Sequence, residues 1–345
     1  MSMKVLVTGG AGFIGSNFVH HLLSLPGEYS VVNFDALTYA GNLLNLERVA
    51  SHPGYRFIKG NICDPAAVRA AMEDCRAVVH FAAESHVDRS IYEPAPIIET
   101  NVRGTLVLLQ VARELKISRF LHVSTDEVYG DIPAGLASDE SYPLQPNSPY
   151  SASKAASDML VRSFVRTYGF PAIITRASNN YGPYQFPEKL LPLMIANALE
   201  DKPLPIYGDG LQQRDWLYVE DHCRALHLVL KRGREGEVYN IGAGNTEPNL
   251  SMVRRILRAL GKPESLITQV ADRPGHDRRY ALDCSKITRE LGWSPSLNLD
   301  EGIQQTIAWY RSNGAWLRHV RTGDYQQYYD KYYTHREKSL KTVTA

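Results

Sequence analysis

The 345-residue chain has few cysteines and almost no net charge. Its four cysteines, Cys63, Cys75, Cys223 and Cys284, form no C-x-x-C pair and stand near no ligand-spaced histidine pair. A disulfide framework and a structural metal site are therefore not expected, and the thiols fit a reducing compartment. Lys and Arg number 38 against 37 Asp and Glu, a formal charge of +1. That balance argues against a protein that coats nucleic acid or an anionic membrane. No apolar run reaches the ~18 residues of a membrane span. The N-terminus passes straight into a strand-like stretch, without the charged and apolar regions of a signal peptide. These absences together lead to the expectation of a cytoplasmic protein with no metal and no nucleic-acid or membrane partner.

Hydrophobic residues make up 44% of the chain and charged residues 22%, as in an ordinary globular protein. At about 150 residues per domain, the length allows two domains or one α/β domain with an appendage. Short runs rich in Val, Ile and Phe lie at 4–8, 31–35, 55–60, 77–81, 119–124 and 172–177. Most lack polar alternation, which suits parallel strands buried on both faces. Helical patterns fill the gaps near 12–24, 42–50, 65–73, 94–115 and 149–168. The alternation predicts a Rossmann-type, doubly wound α/β sheet with right-handed crossovers. After residue 180 prolines punctuate the chain and elements shorten, with helices expected at 188–199, 249–260 and 300–311 and a strand at 237–241. The expected division is a cofactor-binding domain over 1–180, which carries the catalytic residues, and a smaller mixed substrate domain over 181–333. The tyrosine-rich stretch 325–333 is expected to pack, and 334–345 to be a polar tail.

The first strand ends in Thr8-Gly9-Gly10-Ala11-Gly12-Phe13-Ile14-Gly15, and a helix follows. Glycines permit the tight turn and let backbone N–H groups approach a pyrophosphate, while the helix N-terminus supplies partial positive charge. Asp35 ends the next strand, where an acid accepts hydrogen bonds from ribose hydroxyls and repels a 2′-phosphate. NAD is therefore expected rather than NADP. Phe81-Ala82-Ala83 closes the fourth strand with small residues that let a cofactor lie against backbone.

Tyr150 and Lys154 stand at i and i+4 and share a helix face. A free phenol, with a pKa of about 10, is a poor base at neutral pH. A nearby ammonium and a cationic nicotinamide favour phenolate, which removes a hydroxyl proton while hydride leaves the same carbon. The fifth strand runs into Thr125-Asp126-Glu127. Thr125 can orient a substrate hydroxyl, and two adjacent acids at a strand's C-terminal end suit proton transfer or, alternatively, open a polar loop.

Gly9-x-x-Gly12-Phe13-Ile14-Gly15 with Tyr150-x-x-x-Lys154 resembles the extended short-chain dehydrogenase/reductases. Further segments resemble one branch, the dTDP-glucose 4,6-dehydratases. They are Asp35-Ala-Leu-Thr-Tyr-Ala-Gly-Asn42, Ala82-Ala-Glu-Ser-His-Val-Asp-Arg-Ser90, Thr125-Asp-Glu-Val-Tyr-Gly130, Ser178-Asn-Asn-Tyr-Gly-Pro-Tyr-Gln185 and Asp272-Arg-Pro-Gly-His-Asp-Arg-Arg-Tyr280. The resemblance spans roughly residues 3–333. The acid pair is its specific part: epimerases of the superfamily lack it, and GDP-mannose dehydratases carry Thr-Ser-Glu.

The resemblance implies C4 oxidation of a nucleotide-linked glucose, loss of water across C5 and C6, and hydride return on one tightly bound NAD. Glu127 would take the C5 proton and a neutral Asp126 would protonate the C6 hydroxyl. It also implies cofactor contacts at Ala36, Leu37, Thr38, Asn61, Ile62, Ser85, Thr100 and Asn180. Substrate contacts are implied at Ser85, Thr125, Asn179, Lys189, Leu190, Pro205, Ile206, Tyr207, Arg214, Asn249, Asp272, Arg273, Pro274, Gly275 and His276. Lys189, Arg214 and Arg273 suit a pyrophosphate, and Tyr207 offers an edge or face to the base. Asn61 stands where the family usually has Asp, and its carbonyl can still accept from the adenine amino group. His86 is expected to be structural and His276 a substrate contact. Dimerisation through a four-helix bundle of 94–115 and 149–168 is implied as well. A UDP-glucose dehydratase, a 4-epimerase and a non-catalytic NAD sensor stay open as alternatives. Thymine and uracil differ by one methyl, worth only about 1–3 kcal/mol.

Overall fold

A computed structural model describes residues 2–322. The first half runs β1 (Met3–Thr8), α1 (Phe13–Leu23), β2 (Tyr29–Asp35), β3 (Tyr55–Lys59), α2 (Pro65–Met72), β4 (Ala77–His80), α3 (Val87–Tyr92), α4 (Pro94–Ile98), α5 (Thr105–Glu114), β5 (Arg119–Thr125), α6 (Pro149–Tyr168) and β6 (Ala172–Ala177). The second half runs β7 (Asn179–Tyr181), α7 (Leu190–Leu199), β8 (Leu204–Tyr207), β9 (Gln213–Tyr218), α8 (Val219–Arg232), β10 (Val238–Ile241), β11 (Thr246–Pro248), α9 (Asn249–Leu260), β12 (Ile267–Val270), α10 (Ser285–Leu291), α11 (Leu299–Ser312) and α12 (Gly314–Val320).

Seven strands form one sheet in the order β10-β6-β5-β4-β1-β2-β3, and every pairing is parallel. The strand order reverses between β1 and β4, so their C-terminal ends open a crevice there. Both sheet faces are covered: Phe18, Leu22, Leu226 and Val229 pack on one, and Met72, Leu108, Val161 and Phe164 on the other. Burial on both faces explains why these strands lack polar alternation. A separate apolar core joins α7, α9 and α11 around Trp216, Ile256 and Ile307. Small sheets β11-β9-β7 and β12-β8 complete this part.

A cut at residue 180 does not describe the chain path. Beyond it, β10 adds the seventh strand beside β6, and α8 supplies apolar residues to the core beneath β1 and β5. An edge position completed late in sequence is invisible to a linear reading. The helix expected at 94–115 is three pieces, with a π-helical turn over Glu99–Gly104 between α4 and α5. The wide turn lets the Asn101 side chain hold Glu84: its Oδ1 accepts the Glu84 N–H at 2.9 Å and its Nδ2 donates to the Glu84 carbonyl at 3.0 Å. The helix expected at 42–50 is 3₁₀ over Leu43–Val49. The tyrosine-rich stretch 325–333 and the tail lie outside the described residues. Among the described residues no helix is long and apolar enough to cross a membrane, and no cluster of ligating side chains could hold a metal ion.

Candidate active site

The glycine turn joins β1 to α1 at the crevice. Gly9 has φ +72°, and a Cβ there would lie 2.6 Å from the Ala82 nitrogen. A Cβ at Gly15 would collide with the Gly9 carbonyl. Gly12 caps α1 without a side chain, so no side-chain oxygen blocks the helix N-terminus. Asp35 sits beside it, buried, with Oδ2 accepting the Ala11 N–H at 2.9 Å and Oδ1 the Leu37 N–H at 2.8 Å. Burial raises its carboxyl and these two N–H groups oppose the rise. Each oxygen keeps a lone pair for a ribose hydroxyl.

These residues line a cavity of ≈360 Å³ in which every expected cofactor residue takes part except Leu37. Leu37 instead turns at φ 53° and packs on the core, touching the site only through its N–H. Asn61 lines the cavity, but its Oδ1 already accepts the Cys63 N–H at 2.8 Å. Its amide carbonyl is therefore shared between the local turn and any adenine contact. A closed glycine cradle beside an uncapped helix and a buried acid fits a dinucleotide with a free ribose 2′-hydroxyl.

Thr125 ends β5, and Asp126 and Glu127 open the 3₁₀ turn Asp126–Tyr129. The Thr125 hydroxyl accepts the Glu127 N–H at 3.3 Å and donates to Asp126 Oδ1 at 3.2 Å. Asp126 is 3% exposed and its Oδ2 has no hydrogen-bond partner among the described residues. Burial, then the neighbouring Glu127 charge, pushes its carboxyl well above the usual range. Burial also raises Glu127, but Arg273, Lys189 and Arg214 oppose the rise. The two acids thus differ in surroundings: Asp126 is pushed toward its neutral form by burial and by Glu127, and Glu127 faces three cations. Asp126 borders the cofactor cavity alone, whereas Glu127 borders both this cavity and a second one of ≈160 Å³.

Tyr150 and Lys154 rise from α6, whose start is fixed by Pro149 and by a Ser148–Ser151 capping box. Both are buried. Burial, then Glu127 and Asp126, pushes the Tyr150 phenol up, while Thr125 opposes the rise. Lys154 donates to the Val123 carbonyl at 2.8 Å, and burial lowers its ammonium to about 8 against the pull of Asp158. Burial and the two carboxylates thus favour the neutral phenol in the chain by itself; the expectation of a phenolate rests on a cationic nicotinamide beside Lys154.

The second cavity gathers Asn179, Lys189, Leu190, Pro205, Ile206, Tyr207, Arg214, Asn249, Arg273 and His276. Ser85 and Thr125 line the first cavity. Asp272, Pro274 and Gly275 line neither. Asp272 stands behind the wall: its Oδ1 pairs with His276 Nδ1 at 2.6 Å and its Oδ2 accepts from Gln212 at 2.9 Å. Gly275, at φ +60°, leaves no room for a Cβ beside the Asn147 carbonyl, 2.8 Å away. Burial lowers His276 to about 4, so its ring is neutral. His86 caps α3 by accepting the Arg89 N–H, and its ring also borders the cavity. Arg214 is 5% exposed, not a solvated surface charge; its guanidinium lies 4.1 Å from the Tyr280 ring centroid and donates to the Asp277 carbonyl.

Several wall residues escape the sequence reading, among them two acids and two aromatics. Asp88 accepts the Tyr207 hydroxyl at 2.7 Å and lies 3.5 Å from Arg273 Nε. Glu188, pushed up to about 7 by burial, accepts the Tyr39 hydroxyl at 3.0 Å. Trp216 and Tyr280 supply aromatic wall. Asp88 and Glu188 lie inside or beside segments that carry the resemblance, but only folding brings them to one cavity.

The family model described as GDP-mannose 4,6 dehydratase matches residues 6–306. A dTDP-glucose 4,6-dehydratase of Salmonella typhimurium LT2 is 51% identical, over 97% of this chain and 100% of that protein. This chain belongs to the dTDP-glucose 4,6-dehydratase family. The crystal structure of the Streptomyces venezuelae dTDP-glucose 4,6-dehydratase, with NAD and TYD bound, superposes on this dehydratase with a TM-score of 0.90 at 50% identity. It covers 92% of this chain and 100% of that one. A Thermus thermophilus UDP-glucose 4-epimerase in complex with NAD reaches a TM-score of 0.83 at 32% identity, over 90% of this chain and 100% of that one. The scaffold is thus shared by enzymes of different reaction, so activity has to be argued from the side chains of the site and not from the fold.

Proposed function

We propose that this dehydratase converts dTDP-glucose to dTDP-4-keto-6-deoxyglucose and water on bound NAD. The observation that carries the reading is the unequal acid pair at the end of β5, set opposite Tyr150 where the two cavities meet. Lys189, Arg214 and Arg273 around the second cavity neutralise the diphosphate. Thr125 orients the C4 hydroxyl and Tyr150, once deprotonated, takes its proton. Lys154, one turn along, is the cation on the same helix face that favours the phenolate. NAD, when bound, supplies the acceptor for the C4 hydride and returns that hydride to C6. The C4 ketone acidifies C5, and Glu127 takes the C5 proton. Asp126, held neutral, gives its proton to the C6 hydroxyl, which leaves as water. Glu127 then returns a proton to C5, C4 stays a ketone, and the site resets as Tyr150 releases to water the proton it took from the C4 hydroxyl while Asp126 takes one back from water, so that no net proton is gained or lost.

The cofactor cradle and proton carriers lie within 1–180, and most of the diphosphate grip beyond it. The four unpaired thiols support a reducing cytoplasm. Exposed Ile98, Met159 and Tyr168 on the α4–α6 side support a homodimer formed by pairing these helices. Incubation with dTDP-glucose in D₂O tests the reaction. Loss of water with one deuterium at C5, without added reductant, supports it. Conversion of UDP-glucose alone would reassign the base, and conversion of neither sugar would overturn the dehydratase reading.

A further inference from the structure

We propose that Asp158 is a positioning residue for the reaction, holding Lys154 as an ammonium beneath the active site. The inference rests on the proton-handling role given above to Tyr150 and Lys154. Lys154 and Asp158 are i and i+4 on α6, both facing the sheet, at 4% and 0% exposure. The carbonyl of Val123 gives Lys154 a hydrogen bond but no counter-charge. A buried ammonium without a counter-charge tends to lose its proton. Asp158, one turn along the same buried face, is the carboxylate placed to counter it, and its Oδ1 is buried with no hydrogen-bond partner among the described residues.

Asp158 is itself fixed from the sheet side. Arg176 Nε on β6 donates to its Oδ2 at 2.9 Å, and His122 Nε2 on β5 lies 3.4 Å from its Oδ1. Arg176 in turn donates to the Tyr129 hydroxyl at 2.9 Å, and Tyr129 donates to Asn240 on β10 at 2.8 Å. Burial pushes the Asp158 carboxyl up, but His122 and Arg176 outweigh it and keep it ionised. The other titratable groups facing Lys154 are accounted for. His80 on β4 is held well below its usual value by burial, between the hydroxyls of Thr8 and Thr105. Burial lowers His122 to about 4. Both rings are therefore neutral where Lys154 titrates. Tyr150, with Asp126 and Glu127 beyond it, lies on the cavity side.

The test is the pH profile of kcat/KM for dTDP-glucose, from about pH 6 to about pH 10. Asp158→Asn is expected to move the alkaline limb down by about one unit or more. Asp158→Glu, which keeps the charge, is expected to keep the parent's limb. A uniform loss of activity with the limb unmoved in Asp158→Asn would overturn the inference. If Asp158→Asn does not fold, the double variant Asp158→Asn/Arg176→Met is compared with Arg176→Met alone, so that the lost arginine charge is common to both; the same downward displacement of the limb is expected between these two, and its absence overturns the inference. Tyr150→Phe is measured alongside. Retained activity there strikes the underlying reading, whereas an inactive Tyr150→Phe with an unmoved limb in Asp158→Asn strikes this inference alone.

Discussion

At the scale of single residues, two adjacent acids are both raised by burial, but unlike neighbours raise them unequally. Asp126 is closed in against Glu127, and Glu127 looks toward three cations. Asp126→Asn should retain deuterium exchange at C5 while product formation falls by about 10²–10⁴, checked by NMR of recovered substrate. Glu127→Gln should lose both. Because burial raises Glu127 above the usual glutamate range, its base form should fail at a higher pH than an exposed glutamate would. Glu188 offers a stability effect with a defined sign. Its folded carboxyl is raised from 4.5 to about 7, so between those values the folded chain holds a proton the unfolded chain has lost. Its contribution is therefore full below the lower value and lost as pH rises through the upper one. Glu188→Gln should remove that loss, and the difference in Tm between variant and parent should grow in the variant's favour across this window. Both acids are plain in the sequence, but their unlike surroundings are assembled from segments far apart in it.

At the scale of elements, the ends of β5 and α6 meet because each is closed by a local device. Ser148 caps α6 and exchanges hydrogen bonds with Ser151, placing Tyr150 in the first turn. Ser148→Ala should cost about 1 kcal/mol in denaturant unfolding, and should lower kcat more than it raises KM because Tyr150 moves with the helix start. The β1–α1 turn has no such tolerance. Gly15→Ala drives a Cβ into the Gly9 carbonyl, so fluorescence titration should show NAD affinity falling at least about tenfold, a loss of about 1.4 kcal/mol. The capping box, proline and left-handed Gly169 make α6 readable from residue 149 to 168. The π-helical turn before α5 has no such signal, because it is set by Asn101 reaching Glu84 and Ser153 across the fold. α8 does carry one, Glu220 and Asp221 in its first turn and Lys231 and Arg232 in its last, matching the helix dipole at both ends.

At the scale of the whole molecule, the sheet gathers strands from both halves of the chain. β10 and α8 return to the first half, so separating the chain near residue 180 would strip the sheet of an edge strand and one covering helix. A fragment ending there should fail to unfold cooperatively in a thermal scan. The proposed pairing of α4–α6 between copies should give a dimer mass in sedimentation, reduced toward monomer by Met159→Glu. The sequence by itself determined the parallel sheet, because strands buried on both faces must be continuously apolar. It determined the glycine cradle with its acid, and the Tyr150, Lys154, Asp126 and Glu127 quartet, because backbone approach and proton transfer demand those residue types at short spacing. Tertiary structure alone decided that Asp88 and Glu188 border the second cavity, that Leu37 packs on the core instead of lining the first, and that Asp158 pairs with Arg176 beneath α6. Those outcomes depend on burial and on charges brought together across the fold, and a linear chain specifies neither until it has closed.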